Sequence, residues 1–100
     1  MDSNDLIKLA AQACEDKKAM NINLIDINKV SSIDDWILVT EGLSDVQVRA
    51  ITKSVENRLK EQADLLPLRK EGVNEGKWAL LDYGDIIINV FQQKEREYYE

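Results

Sequence analysis

The chain has 100 residues, of which 44% are hydrophobic and 32% charged, and its formal net charge is −6. This length and balance predict one globular domain spanning residues 1–100, and they argue against a disordered chain. The acidic charge disfavours broad or sequence-specific nucleic-acid binding and suits a basic partner, and no apolar run approaches the about 20 residues of a membrane span. The absence of histidine argues against most enzymes, and the single cysteine suits a cytoplasmic protein.

The first half of the chain predicts one helix and two strands. Apolar residues at helical spacing behind Asp2 predict a helix over residues 4–17, with Cys14 as a small core residue rather than a reactive thiol. A partly alternating segment over 21–27 predicts a strand, residues 28–35 a loop, and the β-branched and apolar run 36–40 a second strand.

The second helix is predicted from its capping residues. Ser44 and Gln47 form a capping box, and the helix continues to residue 63. Its buried stripe consists of Val48, Ile51, Val55 and Leu59. Residues 65–69 then predict a short extended segment, which Pro67 confines to a sheet edge or to its own first position, because proline cannot donate to a ladder.

A β-hairpin is predicted over residues 78–91, followed by a closing helix over 92–100. Two apolar runs flank a turn in which Gly84 supplies a positive φ. Because these runs show little alternation, we expect both strands to be covered on both faces. Asn89 interrupts the second run, so it must face a polar groove or have a hydrogen-bond partner.

The elements therefore follow the order α-β-β-α-β-β-β-α. This order predicts an α/β or α+β domain with a single mixed five-stranded sheet flanked by helices.

Two arrangements of residues have a possible chemical role. Asp82 and Asp85 have the spacing of a magnesium-binding pair, although bonding of their side chains to turn amides explains them better. Gly42-x-Ser44 before a helix resembles a phosphate-binding loop, although capping already explains Ser44. The large aromatic residues fit either a core or the centre of an interface.

An ordered set of short motifs carries a resemblance to a known family over nearly the whole chain. The motifs are Asp16-Lys17-Lys18-Ala19, Asp35-Trp36-Ile37-Leu38-Val39, Gly42-x-Ser44-x-x-Gln47-x-x-Ala50-Ile51, Glu71-Gly72, Trp78-x-Leu80-Leu81-Asp82-Tyr83-Gly84-Asp85, Val90-Phe91 and Arg96-x-Tyr98-Tyr99. In this set the chain resembles the ribosomal silencing factor family, also called Iojap, whose fold is similar to that of nucleotidyltransferases.

The resemblance implies a regulatory role without catalysis, metal or cofactor. Such proteins bind the large ribosomal subunit through its L-fourteen protein, block docking of the small subunit and repress translation. The alternative is a metal-dependent nucleotidyltransferase that uses Gly42, Ser44, Asp82 and Asp85. The chain lacks the Asp-x-Asp pair that such enzymes carry after the Gly-x-Ser motif. A homodimer through the sheet and hairpin is a third hypothesis, compatible with the first.

Eight residues are predicted to contact the partner: Trp78, Leu81, Asp82, Tyr83, Asp85, Asn89, Arg96 and Tyr98. A core position is the competing interpretation for Trp78, Leu81 and Tyr98. The chain departs from the family in having Asn89 where histidine is usual, and asparagine cannot become cationic. Family members usually continue past the paired tyrosines, so we expect this chain to be truncated there, and the absence of a transit peptide favours a bacterial origin.

Overall fold

The computed structural model describes residues 1–27 and 35–99, with side chains as far as Arg96, so most of the predicted loop 28–35 lies outside the described residues. The elements in chain order are α1 (Ser3–Asp16), β1 (Met20–Asp26), β2 (Trp36–Gly42), α2 (Asp45–Ala63), β3 (Arg69–Glu71), β4 (Trp78–Asp82), β5 (Ile86–Gln92) and α3 (Gln93–Tyr99).

The strands form one five-stranded sheet in the order β1-β2-β5-β4-β3. β2 and β5 pair in parallel at its centre, whereas every other neighbouring pair is antiparallel. The predicted mixed sheet, its strand number and its element order are confirmed.

The core lies between one face of the sheet and the helices α1 and α2. The predicted α2 stripe of Val48, Ile51, Val55 and Leu59 is 0% exposed, as are Leu38, Leu81 and Ile88 of the sheet. Cys14 of α1 is also fully buried. Its predicted core position is confirmed, and burial raises the pKa of its thiol to about 12, which disfavours a reactive thiolate.

The edge strand differs from its predicted position. Pairing begins with the Leu68 amide, which donates to the Asp82 carbonyl at 2.7 Å, and β3 occupies Arg69–Glu71 rather than 65–69. Pro67 has no N–H to donate, so the ladder starts only after it. The predicted position of this strand at an edge of the sheet is confirmed, since β3 is the last strand in the sheet order.

The hairpin turn forms as predicted. Gly84 has a φ of +89°, and its amide donates to Asp82 Oδ1 at 2.8 Å. The Tyr83 amide closes the turn by donating to the Ile86 carbonyl at 2.9 Å. The turn therefore explains the aspartate at position 82 without a metal.

Candidate functional site: the open face of the sheet

The two faces of the central strand differ in burial. In β5, Ile86, Ile88 and Val90 are 0% exposed and face the helices, whereas Ile87 and Asn89 are half-buried and face the opposite side. The prediction that the hairpin strands are covered on both faces is therefore wrong. The reason is that α1 and α2 pack on the same side of the sheet.

Strand register brings the outward residues together in rows. One row runs across four strands through Ile25, Ile37, Ile87 and Asp82. The next contains Val39, Asn89 and Leu80. We call the surface formed by Ile25, Ile37, Val39, Trp78, Leu80, Ile87 and Asn89 the open sheet face. Ile25 is 46% exposed and Trp78 43%, so this apolar surface meets solvent.

Trp78 organises the end of this face. Its indole stacks on the Phe91 ring, with centroids 4.9 Å apart and an interplanar angle of 20°. Its Nε1–H donates to Asn89 Oδ1 at 3.1 Å. This bond supplies the partner that Asn89 was predicted to need, and it leaves the amide nitrogen of Asn89 as a donor. Trp78 and Asn89 are thus neighbours on the open sheet face.

Charged side chains border the apolar centre along β3 and the turn. Arg69 lies opposite Asp82, with Nη2 and Oδ2 3.6 Å apart, and also pairs with Glu71 at 3.1 Å. Asp85 is exposed in the turn. An apolar centre with a polar rim is the usual anatomy of a protein interface.

Three of the eight predicted contact residues are buried. Leu81 is 0% exposed because its side chain points to the helices. Tyr83 is 7% exposed, and burial, with a smaller effect of the nearby Glu56 carboxylate, raises the pKa of its hydroxyl. Arg96 is also 7% exposed. These positions are corrected from surface contacts to interior residues, and the Tyr98 side chain lies outside the described residues.

The residues of the nucleotidyltransferase hypothesis are not brought together. Gly42 ends β2, whereas the Asp85 carbonyl accepts from the Trp36 amide at the start of β2, at 3.0 Å. The length of a seven-residue strand, roughly 20 Å, therefore separates Gly42 and Ser44 from the aspartates. Gly42 has a packing role, since a Cβ there would lie 3.3 Å from Gln47 and Ile51 side-chain atoms.

The part of the chain that the structure describes has neither a metal-binding cluster nor a membrane-spanning helix. Its residues include no group of three or more histidine, cysteine, aspartate or glutamate side chains placed to hold a metal ion. Within the same ranges, no helix is both long and apolar enough to cross a membrane.

Sequence reasoning missed the apolar centre of the open sheet face. Ile25, Ile37, Val39, Leu80 and Ile87 were treated only as strand-forming residues. In β2 and β5 both faces are apolar, so the residue pattern does not tell which side a helix covers. The partial alternation in β1 was the one available signal, since it places Ile25 on the same face of the strand as the polar residue Asn23.

The fold and this surface define a class of protein: an α+β domain with two helices on one face of its sheet and an exposed apolar surface on the other. Residues 1–100 match the family described as "Ribosomal silencing factor during starvation". The chain is 36% identical over 99 residues to the ribosomal silencing factor RsfS of Bacillus subtilis, covering 99% of this chain and 83% of that protein.

Solved structures agree with these sequence matches. A crystal structure of a Chromobacterium violaceum protein superposes with a TM-score of 0.90 at 36% identity, covering 99% of this chain and 82% of the other. A crystal structure from Bacillus halodurans gives 0.85 at 34% identity, covering 96% and 89%. The chain belongs to the ribosomal silencing factor family.

Proposed function

We propose that this protein binds the large ribosomal subunit through the ribosomal protein L-fourteen, using the open sheet face. Bound there, it blocks association with the small subunit and represses translation in the cytoplasm. It acts as one domain by occupying a surface, without a catalytic step or a cofactor. The observation that carries the proposal is the apolar, solvent-exposed sheet face in a chain of this family.

The physical basis is the free energy of covering this face. Burial of apolar surface stabilises a complex by about 25 cal/mol per Å², and the exposed parts of Ile25 and Trp78 are available for it. Large aromatic side chains commonly make the largest contributions to the affinity of an interface. Trp78 is already fixed by Phe91 and Asn89, so it loses little rotamer freedom on binding.

Charge supports a ribosomal partner. A net charge of −6 attracts a basic protein surface and speeds encounter, and it opposes direct binding to ribosomal RNA. Asp82 and Asp85 lie at the rim and are placed to meet cationic side chains. The attraction weakens with added salt, because exposed charges are screened.

Co-sedimentation with isolated large ribosomal subunits tests the proposal with a matched pair of variants. Ile25→Lys places a charge on the open sheet face, whereas Val46→Lys makes the same kind of change at a 66% exposed site on α2. We expect Ile25→Lys to weaken binding about 10- to 100-fold, as burying an unpaired charge is costly. Val46→Lys should bind like the wild type.

Trp78→Ala gives a second measurement on the same face. Loss of a hot-spot aromatic costs about 2 kcal/mol or more, which corresponds to roughly 30-fold in affinity. Equal binding by the wild type, Ile25→Lys and Trp78→Ala would place the contact elsewhere on the molecule. Failure of the wild-type chain to bind would contradict the proposed function itself.

A further inference from the structure

The helix α3 lies on the same side of the sheet as the open sheet face. It follows β5 directly and packs against β2 and β5. Glu41 pairs with Phe91 in the β2–β5 register, and the Phe91 ring stacks on Trp78 of the open sheet face. The Glu41 side chain therefore points to the same side, where it pairs with Arg96 of α3. A helix of seven residues is too short to be stable alone, so its position depends on tertiary contacts.

The carboxylate of Glu41 makes several of these tertiary contacts. Glu41 Oε2 accepts from Arg96 Nη1 at 3.0 Å. Its Oε1 accepts from Asn21 Nδ2 at 2.8 Å and from Gln93 Nε2 at 3.2 Å. The side chains of Arg96 and Glu41 are only 9% and 6% exposed, so this is a buried ion pair that joins β1, β2 and α3.

An irregularity in the backbone of β1 adds a further hydrogen-bond acceptor for Arg96. The β1–β2 register shifts between Met20 and Asn23, and Asn21 within this irregularity has a φ of +51°. Asparagine tolerates this left-handed conformation better than most residues. The Asn21 carbonyl accepts from Arg96 Nη1 at 2.9 Å. The strand irregularity thus places a second acceptor beside the guanidinium.

A buried ion pair adds little net stability, and in some proteins its role is to fix geometry. Desolvation of the two charges offsets much of their attraction, whereas removal of one partner leaves the other buried without compensation. A displacement of α3 that separates Arg96 from Glu41 would therefore leave two buried charges without their partner.

We infer that Glu41 and Arg96 are positioning residues that hold α3 as a fixed wall at one end of the open sheet face, and that the partner is recognised with α3 in this place. The inference rests on the proposed function. It assigns Arg96 an indirect role, because its guanidinium is engaged inside the protein.

A double-mutant cycle with Glu41→Leu and Arg96→Met separates positioning from direct contact. Each single change strands a buried charge, so we expect faster amide hydrogen exchange confined to α3 and about tenfold weaker binding to large ribosomal subunits. The double variant replaces both charges with apolar side chains, so exchange in α3 and binding should both recover to near wild-type values. Lys94→Met, at an exposed site on α3, is the control and should change neither.

Three results would overturn the inference and leave the proposed function intact. Single variants with unchanged exchange in α3 would show that the ion pair does not hold the helix. A double variant that regains slow exchange but binds as weakly as Arg96→Met would show that Arg96 contacts the partner itself. Faster exchange spread over the whole sheet in both single variants would show a general structural role. Glu41→Gln keeps the side-chain size, so measuring its exchange pattern repeats this test with less disruption of the packing.

The failure of the proposed function has a different signature. In that case the wild-type chain does not bind large subunits at all, which overturns recognition through α3 together with the proposed function. The exchange pattern of the free protein still shows whether Glu41 and Arg96 anchor the helix.

Discussion

Tyr83 illustrates how one side chain can lie beside a surface without forming part of it. Its ring belongs to the core cluster with Leu81 and Ile86, although it stands in an exposed-looking turn sequence between two aspartates. Its hydroxyl is buried and has no hydrogen-bond partner among the described residues. A buried polar group without a partner carries a desolvation cost that the unfolded chain does not have.

Tyr83→Phe should therefore raise the free energy of unfolding, by about 1 kcal/mol, since it removes only this hydroxyl. Tyr83→Ala should lower it by about 3–5 kcal/mol by leaving a cavity. Urea unfolding followed by tryptophan fluorescence measures both. Tyr83→Phe should also bind large ribosomal subunits like the wild type, and a substantial loss of stability in this variant would mean that the hydroxyl is bonded in the folded protein.

The first turn of α2 connects the two long helices through hydrogen bonds. Ser44 Oγ accepts from the Gln47 amide at 3.1 Å, which confirms one half of the predicted capping box, whereas the Gln47 side chain bonds to the Leu43 amide and not to that of the N-cap Ser44. Gln47 Oε1 accepts from the Leu43 amide at 2.7 Å, and its Nε2 donates to the carbonyls of Lys17 and Lys18 at 3.0 and 3.2 Å. One amide side chain thus caps α2 and also fixes the end of α1.

Gln47→Ala should destabilise the fold by about 1–2 kcal/mol, because it frees backbone groups of both helices at once. Gln62→Ala, at an exposed site near the other end of α2, is the matched control and should change stability by less than about 0.5 kcal/mol. Thermal and urea unfolding compare the two variants. Equal effects would mean that the contacts of Gln47 with α1 contribute nothing beyond helix propensity.

At the scale of the whole molecule, one side of the sheet is covered by two helices and the other presents an apolar surface. Such a surface fits a second copy of the chain as well as a ribosomal protein, so the homodimer stays a prediction. The two complexes differ in electrostatics. Two copies each carry a net charge of −6 and repel, whereas a basic partner is attracted.

Salt should therefore act on the two complexes in opposite directions. We expect sedimentation velocity over a dilution series to show a dimer that increases with salt and is lost in Ile25→Lys. Binding to large subunits should decrease over the same salt range. A chain that stays monomeric at all concentrations, or a dimer unaffected by Ile25→Lys, would contradict a dimer through the open sheet face.

Much of the fold could be predicted because its signals are local. The capping residues and the four-residue stripe of α2 follow from helix periodicity, and the Gly84 turn follows from the conformational freedom of glycine. Of the predicted contact residues, Trp78, Asn89, Asp82 and Asp85 lie on or beside the open sheet face. The other described ones, Leu81, Tyr83 and Arg96, are buried.

The element types, the mixed sheet and the family could be predicted from the residues alone, because these depend on periodicity, turn chemistry and ordered motifs. Helix packing in the folded protein determines which face of the sheet stays open. That choice depends on both long helices packing on one side and on a register that aligns Ile25, Ile37 and Ile87 across three strands. The inward orientation of Arg96 toward Glu41 likewise follows from the tertiary structure, since a contact across 55 residues of chain has no local signal.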